Sequence, residues 1–323
     1  MKKNIAIVAG GYSSEYEVSI RGARNLYGFI DRDRYRVCVV LVERDGWFAQ
    51  LPGGGTAPVD KNDFSFMQDG VRVRIDFAYI TIHGTPGENG LLQGYFDMLR
   101  IPYSSCGALA SALTFNKYLC NRFLSATGVR VPDSVRLRRG EPFDGDVIVS
   151  SLGLPVFVKP GESGSSFGAS RVEDASQLKA AIDKAFEEGD ETLVERFIPG
   201  VEVTCGCYGT KGQTRVLPVT EVVTANVFFD YNAKYNGEVQ EITPARLSPA
   251  LTAKVQQTTA GIYDLIGAKG IIRIDYIIPP DEDPVLLEVN TTPGMTDTSF
   301  IPQQMRAAGL KIGDVLTEII ENE

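Results

Sequence analysis

Residues 271–290 constrain this chain most. Ile271-Ile272-Arg273-Ile274-Asp275-Tyr276-Ile277-Ile278 and Val285-Leu286-Leu287-Glu288-Val289-Asn290 are short runs crowded with apolar, mostly β-branched residues, separated by a Pro/Asp-rich turn. Both runs are predicted strands. Alternate residues of a strand share a face, so Arg273 and Asp275 point one way, as do Glu288 and Asn290. Paired as a hairpin, the runs gather two carboxylates, an amide and a guanidinium on one patch. The polar turn Thr291-Thr292-Pro293-Gly294-Met295-Thr296 offers backbone N–H groups beside it. Asp, Glu and Asn oxygens are hard ligands suited to Mg²⁺, which prefers few carboxylates plus substrate phosphates. The same pattern on a solvated sheet face would be a surface ion pair.

The chain before this hairpin reads as α/β, with α+β character overall. Residues 4–9 form a buried-type strand, and Ser14 and Glu17 have the spacing of a capping box for a helix to about Ile30. A second strand runs from Tyr35 to Val42. This βαβ start predicts a doubly wound, mainly parallel sheet for residues 1–106. The first turn lacks the Gly-x-Gly-x-x-Gly of dinucleotide folds. After a Gly/Pro-rich loop at 51–58, a strand from Phe77 to Ile82 ends at the loop 83–90, a position where open α/β sheets bind ligands. Leu91 to Leu99 and Ala108 to Ala126 read as helices, the second carrying Asn116-Lys117.

A second unit, 107–198, centres on a strand at 155–160, a Gly/Ser loop at 161–168 and a strand at 170–172. No Gly-Lys-Ser/Thr opens a helix, so this is not a P-loop. The N–H groups of such a loop can still fold over phosphates, with Lys159 as a point charge. The loop is also longer than the ~2–5 residues of a plain hairpin. A helix from Ala175 to about Glu188 and a strand from Thr192 to Ile198 follow. In a third unit, 199–323, Glu202 lies on the polar face of a strand. The stretch 226–240 is aromatic but broken by Asn, Asp and Gly, the pattern of a functional lid. A helix spans Leu251 to Ile266, and residues 300–322 supply a closing amphipathic helix.

The net charge of −9 argues against nucleic acid or an anionic membrane as partner. A phosphate ligand therefore needs local cations or a metal. No apolar run approaches the ~18 residues of a membrane span, and Met1-Lys2-Lys3 leads into a strand rather than a signal peptide. The five Cys are scattered, and Cys205 and Cys207 continue the apolar face of Val201 and Val203 as buried thiols. A reduced cytoplasm is the expected location.

Five segments, in order, carry a family resemblance: Gly10-Gly11-x-Ser13-x-Glu15-x-x-Val18-Ser19; His83-Gly84-x-x-Gly87-Glu88; Lys159 with Gly164-Ser165-Ser166-x-Gly168; Tyr231-x-x-Lys234-Tyr235; and the block from Arg273 to Ser299. Together they resemble the D-alanine–D-alanine ligases of the ATP-grasp superfamily. The resemblance implies a two-lobed ATP-grasp domain (107–198 and 199–323) after the N-terminal domain. It implies that Glu15 holds the ammonium of a first D-alanine, with Ser165 and Tyr235 hydrogen-bonding to it and closing the lid, and His83 nearby. It makes Arg273 and the Gly294 N–H oxyanion stabilisers, and gives Ser299 the carboxylate of the second D-alanine. Asp275, Glu288 and Asn290 become the ligands of two divalent ions, Mg²⁺ or Mn²⁺. Lys117, Lys159 and Lys234 match phosphate contacts, with Ser165 and Ser166 in the loop above. Glu195, Phe197 and Ile198 match the adenine hinge, and Glu202 the ribose contact. A homodimer is also implied. Two positions depart from the pattern: Asn89 and Asn116 stand where the family usually has Asp.

A carboxylate does not react with an amine at neutral pH, because its oxygen leaves poorly. Phosphoryl transfer from ATP makes an acyl phosphate that the second amine attacks, and a lid keeps water out. A ligase joining D-alanine to D-lactate is one rival, though Tyr235 favours the dipeptide. A catalytically silent nucleotide-binding module is another, which the intact set of Arg273, Asp275, Glu288, Asn290 and Lys159 argues against.

Overall fold

The computed structural model describes every residue except Met1, Ser163, Ser165, Ser166, Lys211, 225–238 and Glu323. The N-terminal sheet contains β1 (Asn4–Gly10), β2 (Arg36–Val42), β3 (Trp47–Gln50), β4 (Thr56–Asp60), β5 (Ser65–Gln68), β6 (Val71–Val73) and β7 (Phe77–Ile80), in the spatial order β6-β5-β4-β3-β2-β1-β7. Its parallel part is β2-β1-β7. Ile5, Ile7 and Ala9 pack on one face against Ala23 and Leu26 of α1 (Tyr16–Phe29), while Ala6 and Val8 pack on the other against Leu92 and Phe96 of α2 (Leu91–Leu99). A strand covered on both faces reads as an unbroken apolar run. Each fully buried Ile or Leu stabilises this layer by ~1.5–3 kcal/mol. The chain leaves β1 for β2 on one side and returns to β7 on the other, so the carboxyl ends of β1 and β7 form a topological switch point.

The region from 47 to 73 corrects the expected loop at 51–58. Turn residues occupy 51–55, but the chain then folds into antiparallel strands that extend the sheet beyond β2. These strands have three to five residues each and bury few side chains, Ala57 and Val59 of β4 among them. Runs this short carry little periodicity. The expected capping box of α1 is also absent: Glu15 takes the N-cap position without a side-chain cap, and its N–H is accepted by Ser13 Oγ at 3.3 Å.

The expected helix at 108–126 is two: α3 (Ala108–Phe115) and α4 (Lys117–Ser125). Asn116 breaks it by adopting an extended backbone (φ −85°, ψ 102°) and accepting from the Leu119 N–H with its own side chain. The middle sheet has the order β10-β9-β11-β8, built from β8 (Ser134–Arg138), β9 (Val156–Pro160), β10 (Ser170–Val172) and β11 (Glu191–Arg196), with α5 (Gly145–Leu152) and α6 (Leu178–Ala185) packed against it.

The third sheet, among the described residues, comprises β12 (Val201–Thr210), β13 (Gln213–Val216), β14 (Thr220–Thr224), β15 (Val239–Ile242), β16 (Ile271–Ile278) and β17 (Val285–Asn290), running β15-β14-β12-β16-β17 with β13 on β12. The hairpin forms as its alternation dictates. Ile272, Ile274, Tyr276 and Ile278 join Val203, Cys205 and Cys207 in a core under α7 (Pro249–Leu265). The polar face looks away from it. The C-terminal segment is again two helices rather than one, α8 (Phe300–Ala307) and α9 (Ile312–Asn322), parted at Gly309 with φ +71°. Gly is favoured there because a Cβ penalises positive φ. Helix α9 returns to the first domain, where Val315, Leu316 and Ile319 share the core of β1 and α1.

Candidate active site

Register places the charges of the third sheet. Across β16 and β17, Arg273 faces Asn290 and Asp275 faces Glu288; across β12 and β16, Thr204 faces Asp275 and Glu202 faces Ile277. Asp275 is buried and accepts from Arg273 Nε (2.9 Å) and Nη2 (2.7 Å), Thr204 Oγ1 (2.6 Å) and Asn290 Nδ2 (3.1 Å). Burial opposes charge on Arg273, but the Asp275 carboxylate prevails and holds the guanidinium above its ordinary pKa. Glu288 is more open. Its Oε1 lies 3.9 Å from Arg273 Nη2, and its Oε2 lies 3.7 Å from Lys117 Nζ. A register shift beside Asp275 skips Leu287 in the ladder. This bulge leaves the Leu287 carbonyl to accept from Lys159 Nζ on the facing sheet at 3.4 Å.

Lys159 sits on β9 and pairs with Glu195 of β11 at 2.8 Å; Asn121 Nδ2 adds a donor to Glu195 at 3.3 Å. The Glu195 carboxylate thus pairs with Lys159 while Glu195 also lines the cleft. Between the two sheets lies a cavity of about 180 Å³ lined by Lys117, Lys159, Phe197, Ile198, Glu202 and Glu288 among others. Apolar walls at Phe157, Phe197 and Ile277 suit a base, and the two lysines suit phosphates. The side chains of Phe197 and Arg171 stack, with the guanidinium 4.3 Å from the ring centroid.

A larger cavity, about 700 Å³, opens beside it and is lined by Glu15, His83, Glu88, Asn290, Gly294 and Ser299. Gly164, Arg273, Glu288 and Phe300 line both cavities and form their common wall. Glu15 and His83 come from the carboxyl ends of β1 and β7, with the two loops joined by Ser13 Oγ donating to the His83 carbonyl at 2.8 Å. Gly164 brings the Gly/Ser loop onto Glu15 so closely that a Cβ there would lie 2.4 Å from its Oε2. Ser299 is the N-cap of α8, its Oγ linked to Thr296 Oγ1 at 2.7 Å. Helix α8 is set by buried Gln304, whose Oε1 accepts the Gly206 N–H at 2.9 Å and whose Nε2 donates to the Thr204 carbonyl at 3.1 Å. A side chain at 206 would collide with Ile301.

The structure thus brings together Glu15, His83, Lys117, Lys159, Glu195, Phe197, Ile198, Glu202, Arg273, Asp275, Glu288, Asn290, Gly294 and Ser299 around two adjoining cavities. Ser165, Ser166, Lys234 and Tyr235 lie outside the described residues. Two contributors, Thr204 and Asn121, were not singled out by sequence, and Glu88 was quoted there without a role. Thr204 shares the face of Glu202 two residues on, a signal that alternation offers. Asn121 offers none. Glu88, within the second motif, accepts the Gly84 N–H at 2.7 Å; burial, then the neighbouring Glu15, push its carboxyl up to about 8.

A cleft between two antiparallel sheets, lysines inside it, opening through a shared charged wall into an acid-lined cavity, is the build of an ATP-grasp ligase. The comparisons narrow that class. A model described as D-ala D-ala ligase N-terminus matches residues 4–106, and one described as D-ala D-ala ligase C-terminus matches 123–321. The chain is 61% identical over 323 residues to the D-alanine–D-alanine ligase of Parabacteroides distasonis, covering 100% of this chain and 98% of that one. Among solved structures, a D-Ala:D-Ser ligase from Enterococcus faecalis matches with TM-score 0.87 and 31% identity over 99% of both chains. A D-alanine–D-alanine ligase from Bacillus anthracis complexed with ATP matches with TM-score 0.79 and 28% identity, covering 99% of this chain and 97% of that one. The chain belongs to the D-alanine–D-alanine ligase family of ATP-dependent ligases. Among the described residues, no helix is long and apolar enough to cross a membrane.

Proposed function

We propose that this enzyme joins two D-alanine molecules at the expense of ATP, through a D-alanyl phosphate, to supply D-alanyl-D-alanine for peptidoglycan precursors in the cytoplasm. The common wall between the two cavities carries this reading. A nucleotide in the smaller cavity ends its phosphate chain where Arg273 and Glu288 border the larger one. Glu15 takes the ammonium of the first D-alanine, with His83 beside it. Ser299, at a helix N-terminus, takes the carboxylate of the second. Arg273 and the Gly294 N–H stabilise the oxyanion formed when the second amine attacks. Phe197 and Ile198 hold the base, Glu202 the ribose, and Lys117 and Lys159 the phosphates. Lys234, Ser165 and Ser166 complete the phosphate contacts, and Tyr235 with Ser165 closes the site over Glu15.

Asp275, Glu288 and Asn290 would hold the divalent ions, Mg²⁺ or Mn²⁺. Among the described residues no group of three or more His, Cys, Asp and Glu is arranged for a metal. The donor set is therefore two carboxylates and one amide, with nucleotide phosphates completing it, which fits a hard ion of that kind. Such an ion offsets phosphate charge when bound. A homodimer is favoured by the exposed Leu91, Met98 and Leu109 on adjoining α2 and α3, the last 84% exposed.

The test is ADP release with Mg²⁺, ATP and D-alanine, coupled to detection of the dipeptide. D-Alanyl-D-alanine as the main product, lost on chelation, is expected. The D-Ala:D-Ser neighbour makes D-serine the informative competitor; a mixed dipeptide predominating at equal concentrations would reassign the second site.

A further inference from the structure

Asn116 lines neither cavity, yet its side chain is buried and fully engaged. Its Oδ1 caps α4 by accepting the Leu119 N–H at 2.9 Å. Its Nδ2 points the other way and donates to Glu162 Oε1 at 2.9 Å and Glu191 Oε1 at 3.2 Å. Glu162 belongs to the root of the Gly/Ser loop, and Glu191 begins β11. The backbone repeats the connection: Gly161 N–H donates to the Glu191 carbonyl at 2.7 Å, and Lys117 N–H donates to the Gly161 carbonyl at 3.0 Å. One amide therefore ties the first turn of α4, the loop root and β11 together, one residue away from Lys117 in the cleft.

The chemistry of the position calls for an amide. Asparagine offers donors to two carboxylates and an acceptor to a helix N-terminus at once. Aspartate, the residue the family pattern leads one to expect, caps a helix as well as asparagine does. As an ionised acceptor it would meet two carboxylates at hydrogen-bonding distance with nothing to donate. Arg136, 3.7 Å from Glu191, offsets one of those charges in part.

We propose that Asn116 is a positioning residue for the nucleotide: it clamps the root of the Gly/Ser loop to α4 and so fixes the spacing between that loop and Lys117. This rests on the cleft being the nucleotide site, and it assigns the site a residue that does not touch the ligand.

Steady-state kinetics of wild type, Asn116→Asp, Glu162→Gln and the double variant test it. Asn116→Asp is expected to raise the KM for ATP about tenfold with kcat within about threefold, the scale of a lost charge-assisted hydrogen bond. Glu162→Gln alone keeps an acceptor for Asn116 and should stay within about threefold of wild type. In the double variant the introduced glutamine donates to the introduced aspartate, Arg136 offsets the Glu191 carboxylate that still faces it, and the KM should return to within about threefold. A capping role alone would leave Asn116→Asp unchanged. A wild-type KM in that variant, or a deficit that Glu162→Gln does not relieve, overturns the proposal. Should the single variant fail to fold, the double variant decides: a near-wild-type KM supports the clamp, while a raised KM or failure to fold refutes it. Wild-type ADP release tests the nucleotide reading separately, since it can succeed while the variant pattern fails.

Discussion

The two walls of the cleft between the second and third sheets each hold a buried ion pair, and they hold it differently. On the third sheet, Arg273 grips Asp275 through two nitrogens from the same face of one strand, and Thr204 and Asn290 add two more donors. On the middle sheet, Lys159 meets Glu195 with a single ammonium, while its remaining reach goes across the cleft to the Leu287 carbonyl. Guanidinium is a rigid fork and ammonium a mobile point charge. The first wall is thus preorganised, which suits the oxyanion-stabilising role proposed for Arg273, since it would cost no reorganisation in the reaction. The second holds its cross-cleft contact through one 3.4 Å hydrogen bond, which on the proposed function a nucleotide phosphate would replace.

The largest effect should come from spoiling the fork. Arg273→Lys keeps the charge but loses bidentate geometry, and kcat is expected to fall about a hundred- to a thousandfold, with the KM for ATP changed far less. Retention of more than about a tenth of the wild-type kcat would show that charge alone suffices on this wall.

On the other wall, Lys159→Met should act mainly on nucleotide affinity, raising the KM for ATP about tenfold. It also leaves Glu195, only 3% exposed, without its cation, so urea denaturation should show a stability loss on the order of 3–5 kcal/mol. An unchanged KM would remove Lys159 from the phosphate site and leave it a structural ion pair.

A third carboxyl, whose effect bears on stability alone and is spread over several pH units, sharpens the contrast. Glu88 is held by the Gly84 N–H rather than gripped by a cation, and burial followed by Glu15 raises it from 4.5 to about 8. Its folded form therefore keeps a proton that the unfolded form has already released. The stability it contributes is complete below about pH 4.5 and is lost as pH rises to and through about 8. Unfolding free energy of the unliganded enzyme should decline from about pH 5 to 8 by up to about 1.4 kcal/mol per pH unit. Glu88→Gln should flatten that slope. A slope identical in wild type and variant would mean another group titrates there.

Much of the site was legible because its pattern is local. Period-two alternation along 271–290 put Arg273 with Asp275 and Glu288 with Asn290, and the hairpin register kept them on one face. The strand from Phe77 likewise led to the 83–90 loop and His83 at a strand end, because a parallel sheet opens its ligand crevice there; Glu15 was legible only through the family resemblance. Local signals failed where elements were short or where a side chain overrode propensity. The strands of 47–73 are too brief to show a period, and Asn116 split a helical pattern by capping from within it.

What the amino-acid order determined by itself was therefore the polar face of the hairpin, the identity of its charged groups and the βαβ entry, all consequences of spacing along one element. The tertiary structure alone decided their partners. Lys159 and the Leu287 carbonyl are 128 positions apart and meet only because a bulge frees that carbonyl opposite β9. Gln304 reaches the backbone of β12, 100 positions away, because a glycine at 206 leaves room for α8. Such contacts depend on how sheets face each other and how close helices can approach. No periodicity within a segment encodes that; only the packed core enforces it.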